Sequence, residues 1–318
     1  MENFLWVEKY RPQKVQDTIL PAELKKTFQQ FVDQDNVPNL ILAGRAGVGK
    51  TTIAKAMLEE IGADYIVING SMNGNIDTLR TEIKDFASTV SLTGGRKYVI
   101  LDEADYLNPQ STQPALRNFM EEFSKNCGFI LTCNFKNRII EPLHSRCSVV
   151  DFTIPKSEMT TMATDFYKRC KEILEVESVD YDNKVIAEVV KKYFPDNRRV
   201  LNELQRYSAR GKIDSGILSD MGDVSISELI DALKGKKFTE MRGWVASNIH
   251  NDVNTVFRKI YDNASDYLEP QSVPQLVTIV ADYQYKSAFV VDQEINLVAC
   301  LTEIMVESDF KWTMPLIM

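Results

Sequence analysis

A short apolar run, Asn39-Leu40-Ile41-Leu42-Ala43, breaks at Gly44 into a glycine-rich turn and resumes at Lys50-Thr51-Thr52-Ile53-Ala54-Lys55-Ala56-Met57-Leu58, a good helix former. Gly44, Gly49, Lys50 and Thr51 satisfy the G-x-x-x-x-G-K-S/T pattern in the strand–loop–helix context that gives it meaning. Glycines let backbone N–H groups curl around phosphate oxygens, and the helix N-terminus places partial positive charge behind them. The loop from Gly44 through Arg45, Ala46, Gly47, Val48 and Gly49 to Lys50, Thr51 and Thr52 is therefore a candidate cradle for a nucleoside triphosphate such as ATP. Lys50 would reach the outer phosphates, and the Thr51 hydroxyl would ligate Mg²⁺.

Composition narrows what surrounds this loop. A chain of 318 residues has room for two domains or three small ones. Its 44% hydrophobic and 26% charged residues are ordinary for a globular protein. No apolar run approaches the ~20 residues of a membrane span, and Met1-Glu2-Asn3-Phe4-Leu5-Trp6 lacks the layout of a signal peptide. Cys127, Cys133, Cys147, Cys170 and Cys300 are dispersed, and the only histidines are His144 and His250. That pattern points to reduced cytoplasmic thiols rather than a zinc site. A net charge of −8 argues against an all-basic surface but is compatible with one basic concave face.

The alternation begun at the loop continues. A helix is expected from Pro21, a strand over Tyr65–Asn69 and a helix from about Asp77. A strand follows over Lys97–Leu101, then a helix opened by Asn108-Pro109 as N-cap and first residue, and strands over Phe129–Asn134 and Ser148–Phe152. Residues 1–155 thus read as an α/β layer with a mostly parallel sheet. Beyond Pro155 the strand signal stops. Residues 156–222 read as helices, including Lys184–Tyr193 and Arg199–Ala209, and residues 223–318 read as a further helical region broken at Gly235 and Glu269-Pro270.

Leu101-Asp102-Glu103 closes an apolar strand as a Walker B motif should: Asp102 would hold Mg²⁺ through water and Glu103 would polarise an attacking water. Asn134, at the end of the next strand, either forms a turn or orients that water beside the outermost phosphate. Ser145-Arg146-Cys147 precedes the last strand. Arg146 is either a surface charge or a guanidinium that reaches a neighbouring subunit's nucleotide.

Glu8-Lys9-Tyr10-Arg11-Pro12, the phosphate loop, Asp102-Glu103, Asn134 and Ser145-Arg146-Cys147 follow one another in the order of clamp loader subunits. Over roughly residues 6–210 the chain resembles these AAA+ ATPases, similar to replication factor C small subunits and more so to the large clamp-loader subunits of T-even-type bacteriophages. The resemblance implies a RecA-like AAA+ P-loop domain, a helical lid and a helical collar that assembles the oligomer, taken here as residues 1–155, 156–222 and 223–318. It implies that Glu8, Tyr10, Arg11 and Pro12 line the adenine pocket and that Arg146 is an arginine finger acting in trans. Pro195-Asp196-Asn197-Arg198-Arg199 resembles the sensor 2 motif, with proline in place of the usual glycine. Arg198 is then the arginine that meets nucleotide in cis, with Arg199 as second choice.

The resemblance also implies partners: primer–template DNA, a ring-shaped sliding clamp, and a pentamer that includes a different companion subunit, with no membrane. Arg80 and Lys84 sit four residues apart on the helix after the polar region Asn73–Asp77. Gln113 and Arg117 share a face of the Asn108-Pro109 helix, opposite its apolar side. These positions are either DNA phosphate contacts or exposed solvating groups. Asn75 stands where many relatives carry a basic residue. Val90 and Leu92 resemble the clamp-binding tip, or else pack under the following loop. Asp102-Glu103-Ala104-Asp105 also spells the box of RNA helicases, but those need a second RecA-like half, and no further strand–helix alternation follows residue 155. A helicase loader, a branch-migration motor and a nucleotide-dependent scaffold are the remaining rivals. The expected function is an ATPase that opens a clamp and loads it onto DNA during replication.

Overall fold

The computed structural model describes residues 5–72, 76–91, 94–209, 211–214, 216, 226–248 and 253–311. The chain forms two compact units, Met1–Ser219 and Asp220–Met318.

In the first unit five parallel strands make one sheet: β1 (Leu40–Ala43), β2 (Tyr65–Asn69), β3 (Lys97–Asp102), β4 (Cys127–Cys133) and β5 (Ser148–Asp151), in spatial order β2-β3-β4-β1-β5. Strands β1 and β4 are buried along their whole length, as expected of central strands covered on both faces. Side chains alternate between faces. Ile41, Val99, Leu101, Phe129 and Leu131 join one core with Leu79, Ile83 and Leu116. Leu40, Leu42, Ile100 and Ile130 join another with Phe28, Ile53, Met57 and Phe152. Each fully buried Leu, Ile or Phe is worth ~1.5–3 kcal/mol, so these two faces fix the register. That register sets Ala43 beside Cys133 and Leu101 beside Leu131. The residues following β1, β3 and β4 therefore emerge at one edge of the sheet.

Helix α1 (Trp6–Lys9) comes first in the chain, and α2 (Ala22–Asp33), α3 (Lys50–Glu60), α4 (Ile76–Ser88), α5 (Thr112–Glu122) and α6 (Glu141–His144) belong to this α/β layer. Beyond it come α7 (Lys156–Val176), α8 (Asn183–Tyr193) and α9 (Asn197–Ser208). Asp182 caps α8 by accepting from Lys184 N at 2.8 Å, and Asp196 caps α9 through Arg199 N at 3.0 Å. One detail departs from the purely helical expectation: β6 (Asp180–Tyr181) and β7 (Lys212–Ile213) form a two-residue parallel ladder.

Helix α5 corrects two expectations. It begins at Thr112 rather than at Asn108-Pro109, because Asn108 Oδ1 accepts from the N–H groups of Gln110 (2.8 Å) and Ser111 (3.1 Å) and holds them in a turn. Gln113 does not share the exposed face of Arg117. Its side chain is fully buried. It donates to the carbonyls of Leu107 and Arg138, both at 3.0 Å, and accepts from Ile140 N at 2.8 Å. A side chain so occupied is a structural tie and not a DNA contact.

The second unit contains α10 (Ser227–Lys234), α11 (Phe238–Asn248), α12 (Val253–Asp262), α13 (Ala264–Tyr267), α14 (Val273–Lys286) and α15 (Gln293–Glu307). They surround a core that includes Trp244, Phe257, Ile260, Leu276 and Leu301. The chain breaks after α10 at Gly235 and around Glu269-Pro270, as the sequence expects. Among the described residues no helix is long and apolar enough to cross a membrane.

Replacing Gln113 by alanine leaves the Ile140 N–H and two carbonyls without their partner. An unsatisfied buried group costs about 1–3 kcal/mol, so Gln113→Ala lowers the stability of the α/β layer by that order in urea unfolding. Wild-type stability in the mutant would show that the tie contributes nothing.

Candidate functional site

The cleft lies at the carboxyl ends of the parallel strands, where ligands of such sheets bind. Gly44 leaves β1 with its N–H bonded to Cys133 O at 3.1 Å, and the loop turns into α3 at Lys50. Gly47 has φ +77°, and a Cβ there would stand 1.9 Å from Asp196 Oδ1. Only glycine admits this approach of the α9 cap to the phosphate loop. Asn197 N also donates to Gly47 O at 3.2 Å. Lys50 is 8% exposed. Its Nζ donates to Gly44 O at 2.7 Å, Arg45 O at 2.8 Å and Asn134 Oδ1 at 3.0 Å. Burial pushes its pKa below the ordinary lysine value despite the countering charges of Asp102 and Asp105. A buried ammonium under that penalty gains most from an anion placed against it.

Asp102 ends β3, and its Oδ1 accepts from the hydroxyls of Thr51 and Thr132, both at 2.6 Å. This cluster of hydroxyl and carboxylate oxygens on the cleft is the hard donor set that suits Mg²⁺. Glu103 is in the left-handed region at φ +56°, which is uncommon for a residue with a side chain and clusters at functional sites. Its N–H donates to Thr132 Oγ1 at 3.1 Å. A Cβ on Gly70 would lie 2.7 Å from the Glu103 carbonyl oxygen, so the turn after β2 makes room for this backbone.

Sequence reasoning missed two residues that hold the site together. Thr132, on β4, joins Asp102 to Glu103. Asp105 is buried, and its Oδ2 accepts from Asn134 N and Phe135 N, both at 3.1 Å. It thereby fixes Asn134, whose side chain meets Lys50. The one sequence signal for Asp105 is its place in Asp102-Glu103-Ala104-Asp105, two residues after the carboxylate pair.

Glu8, Tyr10, Arg11 and Pro12 also line the cleft, with Arg11 paired to Glu8. From α9, Arg198 lines the cleft, whereas the Arg199 guanidinium lies 4.5 Å from the Tyr193 ring centroid. Arg146 does not line the cleft of its own chain. Its Nε donates to Glu121 Oε1 at 2.9 Å and its Nη1 to Pro142 O at 2.8 Å, and the pairing holds the Glu121 carboxyl below the usual carboxylate range. Arg80 and Lys84 are exposed on α4, and Arg117 is exposed on α5, 3.8 Å from Glu121 Oε1. Val90 is 89% exposed. Asn75 and Leu92 lie outside the described residues.

Residues 40–154 match the family model of ATPases associated with various cellular activities (AAA). Residues 158–219 match that of the sliding-clamp-loader large subunit, AAA+ ATPase lid domain. The chain is 34% identical to the sliding-clamp-loader large subunit of Enterobacteria phage T4 and 36% identical to that of Escherichia phage RB69, each over 96% of both chains. It is 32% identical to the replication factor C small subunit of Thermofilum pendens, over 97% of this chain and 98% of that one. A Thermotoga maritima RuvB variant of known structure matches with a TM-score of 0.53 at 17% identity, covering 66% of this chain and 72% of that one, which supports the fold alone. With a phosphate loop, a carboxylate pair and a lid around one cleft, and with these relatives along nearly its whole length, the chain belongs to the sliding-clamp-loader family of AAA+ ATPases.

Proposed function

We propose that this chain is the ATPase subunit of a clamp loader, which uses Mg²⁺ and ATP to open a ring-shaped sliding clamp and load it onto primer–template DNA during replication. It would work in the cytoplasm, within a pentamer that includes a different companion subunit, with residues 1–155 as ATPase domain, 156–222 as lid and 223–318 as collar. The observation that carries this reading is the single cleft formed by Lys50, Asp102, Glu103, Asn134 and Arg198, with Arg146 turned elsewhere.

Each residue has a task its position suits. The N–H groups of Gly44–Thr52 and the Lys50 ammonium bind the phosphates. Thr51, and Asp102 through water, would hold Mg²⁺, which would neutralise phosphate charge. Glu103 accepts the proton of the attacking water, and Asn134 orients that water. Arg198 approaches from the lid side in cis. Arg146, held at the surface by Glu121, meets the nucleotide of the adjoining subunit, where its planar fork neutralises charge that builds in the transition state. Tyr10, Arg11 and Pro12, with Glu8, form the nucleoside side of the pocket. Arg80, Lys84 and Arg117, with Asn75, contact DNA phosphates, and Val90 and Leu92 meet the clamp. DNA contact then triggers hydrolysis and release of the closed clamp. A scaffold that uses nucleotide only to hold its shape would show no rise in hydrolysis with clamp and primed DNA.

Glu103→Gln keeps size and hydrogen bonding but removes the base. Turnover stimulated by clamp and primed DNA should fall by ~10² to 10⁴ while ATP affinity stays within a few-fold. Normal steady-state hydrolysis in this variant would exclude Glu103 as the catalytic carboxylate.

Arg146→Ala should leave ATP binding nearly intact and reduce hydrolysis in the assembled complex by ~10³ to 10⁵. Assemblies mixing Lys50→Ala with Arg146→Ala subunits contain interfaces that join an intact phosphate loop to an intact finger, and should regain part of the activity. No recovery in mixtures shown to contain both variants would overturn the assignment in trans.

Alanine at Arg80, Lys84 and Arg117 together should flatten the dependence of log K on log salt by about 0.9 per lost phosphate contact. Binding of primed DNA titrated across salt concentrations measures this. An unchanged slope would put the DNA surface elsewhere.

A further inference from the structure

The segment Trp6–Tyr10, which contributes Tyr10 to the cleft, is tied to the lid helices. Trp6 is buried, and its backbone N–H donates to Gln205 Oε1 on α9 at 2.9 Å. Glu177, the residue immediately after α7, accepts from Lys9 Nζ at 2.8 Å and also from the Tyr10 hydroxyl. The Lys9 ammonium in turn lies 5.3 Å from the Tyr10 ring centroid. Tyr10 lines the cleft, and Glu177 does not. One carboxylate outside the cleft lining therefore holds two consecutive side chains, one of which lines the cleft. Further along the chain there is a tie to α3, where Glu60 accepts from Val15 N at 2.8 Å.

We propose that Glu177 is a positioning residue for the nucleoside pocket: it orders Tyr10 and Lys9 before ligand arrives, so that affinity for the nucleoside part of ATP depends on it while affinity for the triphosphate does not. The physical reason is pre-organisation. A side chain already held in place loses no rotamer freedom on binding, whereas an untethered tyrosine must be ordered at the ligand's expense. The phosphate loop is built from β1 and α3 and shares no bond with Glu177 in this arrangement. The two halves of the ligand should therefore respond separately. This inference rests on the reading of Glu8–Pro12 as the nucleoside side of the cleft.

The test is calorimetric titration of the full chain, with Mg²⁺, against ATP and against inorganic tripolyphosphate. Glu177→Ala should weaken ATP binding about 3- to 10-fold, the cost of re-ordering one or two side chains, and leave tripolyphosphate binding within about two-fold. Glu177→Gln, which keeps an acceptor for the Tyr10 hydroxyl, should recover part of the loss. Tyr10→Phe should weaken ATP in the same sense, and the double variant Tyr10→Phe, Glu177→Ala should be less than additive. ATP affinity unchanged in Glu177→Ala, ATP and tripolyphosphate weakened alike, no recovery with glutamine, or full additivity would each overturn the proposal. Tyr10→Ala separates the two readings. If it leaves ATP affinity unchanged, the nucleoside-side assignment fails and the role of Glu177 with it. If it weakens ATP binding while Glu177→Ala does not, only the role of Glu177 fails.

Discussion

The parallel register of Leu40–Ala43, Lys97–Asp102 and Cys127–Cys133 is the constraint on which the site depends. Leu40 pairs with Ile130 and Ile100 with Ile130 from the other side, and every side chain of β1 and β4 is buried. A slip of one residue would exchange the two faces of a strand and carry Asp102 away from Thr51. The apolar faces forbid that slip. The chemistry at the strand ends is thus held by side chains that take no part in it.

At those ends the molecule accepts an unfavourable concentration of polar groups. Lys50, Asp105 and Thr132 are buried, and burial of polar or charged groups costs stability unless each finds partners. Most do: Lys50 meets two loop carbonyls and Asn134, Asp102 meets two hydroxyls, and Asp105 meets two backbone N–H groups. The left-handed backbone at Glu103 adds local strain. Asp105 and Thr132 thus hold the backbone of Asn134 and of Glu103 in place before any ligand arrives.

The lid side of the cleft is organised by the start of α9. Asp196 caps that helix through Arg199 N and lies against Gly47, and Asn197 bonds to the Gly47 carbonyl. A cap fixes the direction in which a helix leaves, so the residues immediately after it are aimed by the same contact. Arg198 consequently lines the cleft and Arg199 stacks over Tyr193. The phosphate loop and the lid meet through backbone as well as side chains.

By itself the sequence determined the alternation of strand and helix, the phosphate loop, the Asp102-Glu103 pair and the polar Asn134 at a strand end. These are local signals. Apolar period, glycine spacing and caps act within about ten residues, and the chain carries them whatever it packs against. Only the tertiary structure decided which polar side chains serve the cleft and which serve the fold. Gln113 and Arg117 are four residues apart on one helix, so periodicity treats them alike. The loop through Arg138 and Ile140 covers Gln113 and leaves Arg117 exposed. The same holds for Asp105, for Thr132 and for Glu177, whose partners Lys9 and Tyr10 lie 168 and 167 residues away in the chain. A helix or strand pattern tells a residue which way to point. What it then meets depends on segments distant in sequence, brought there by the packing of the sheet and its helices.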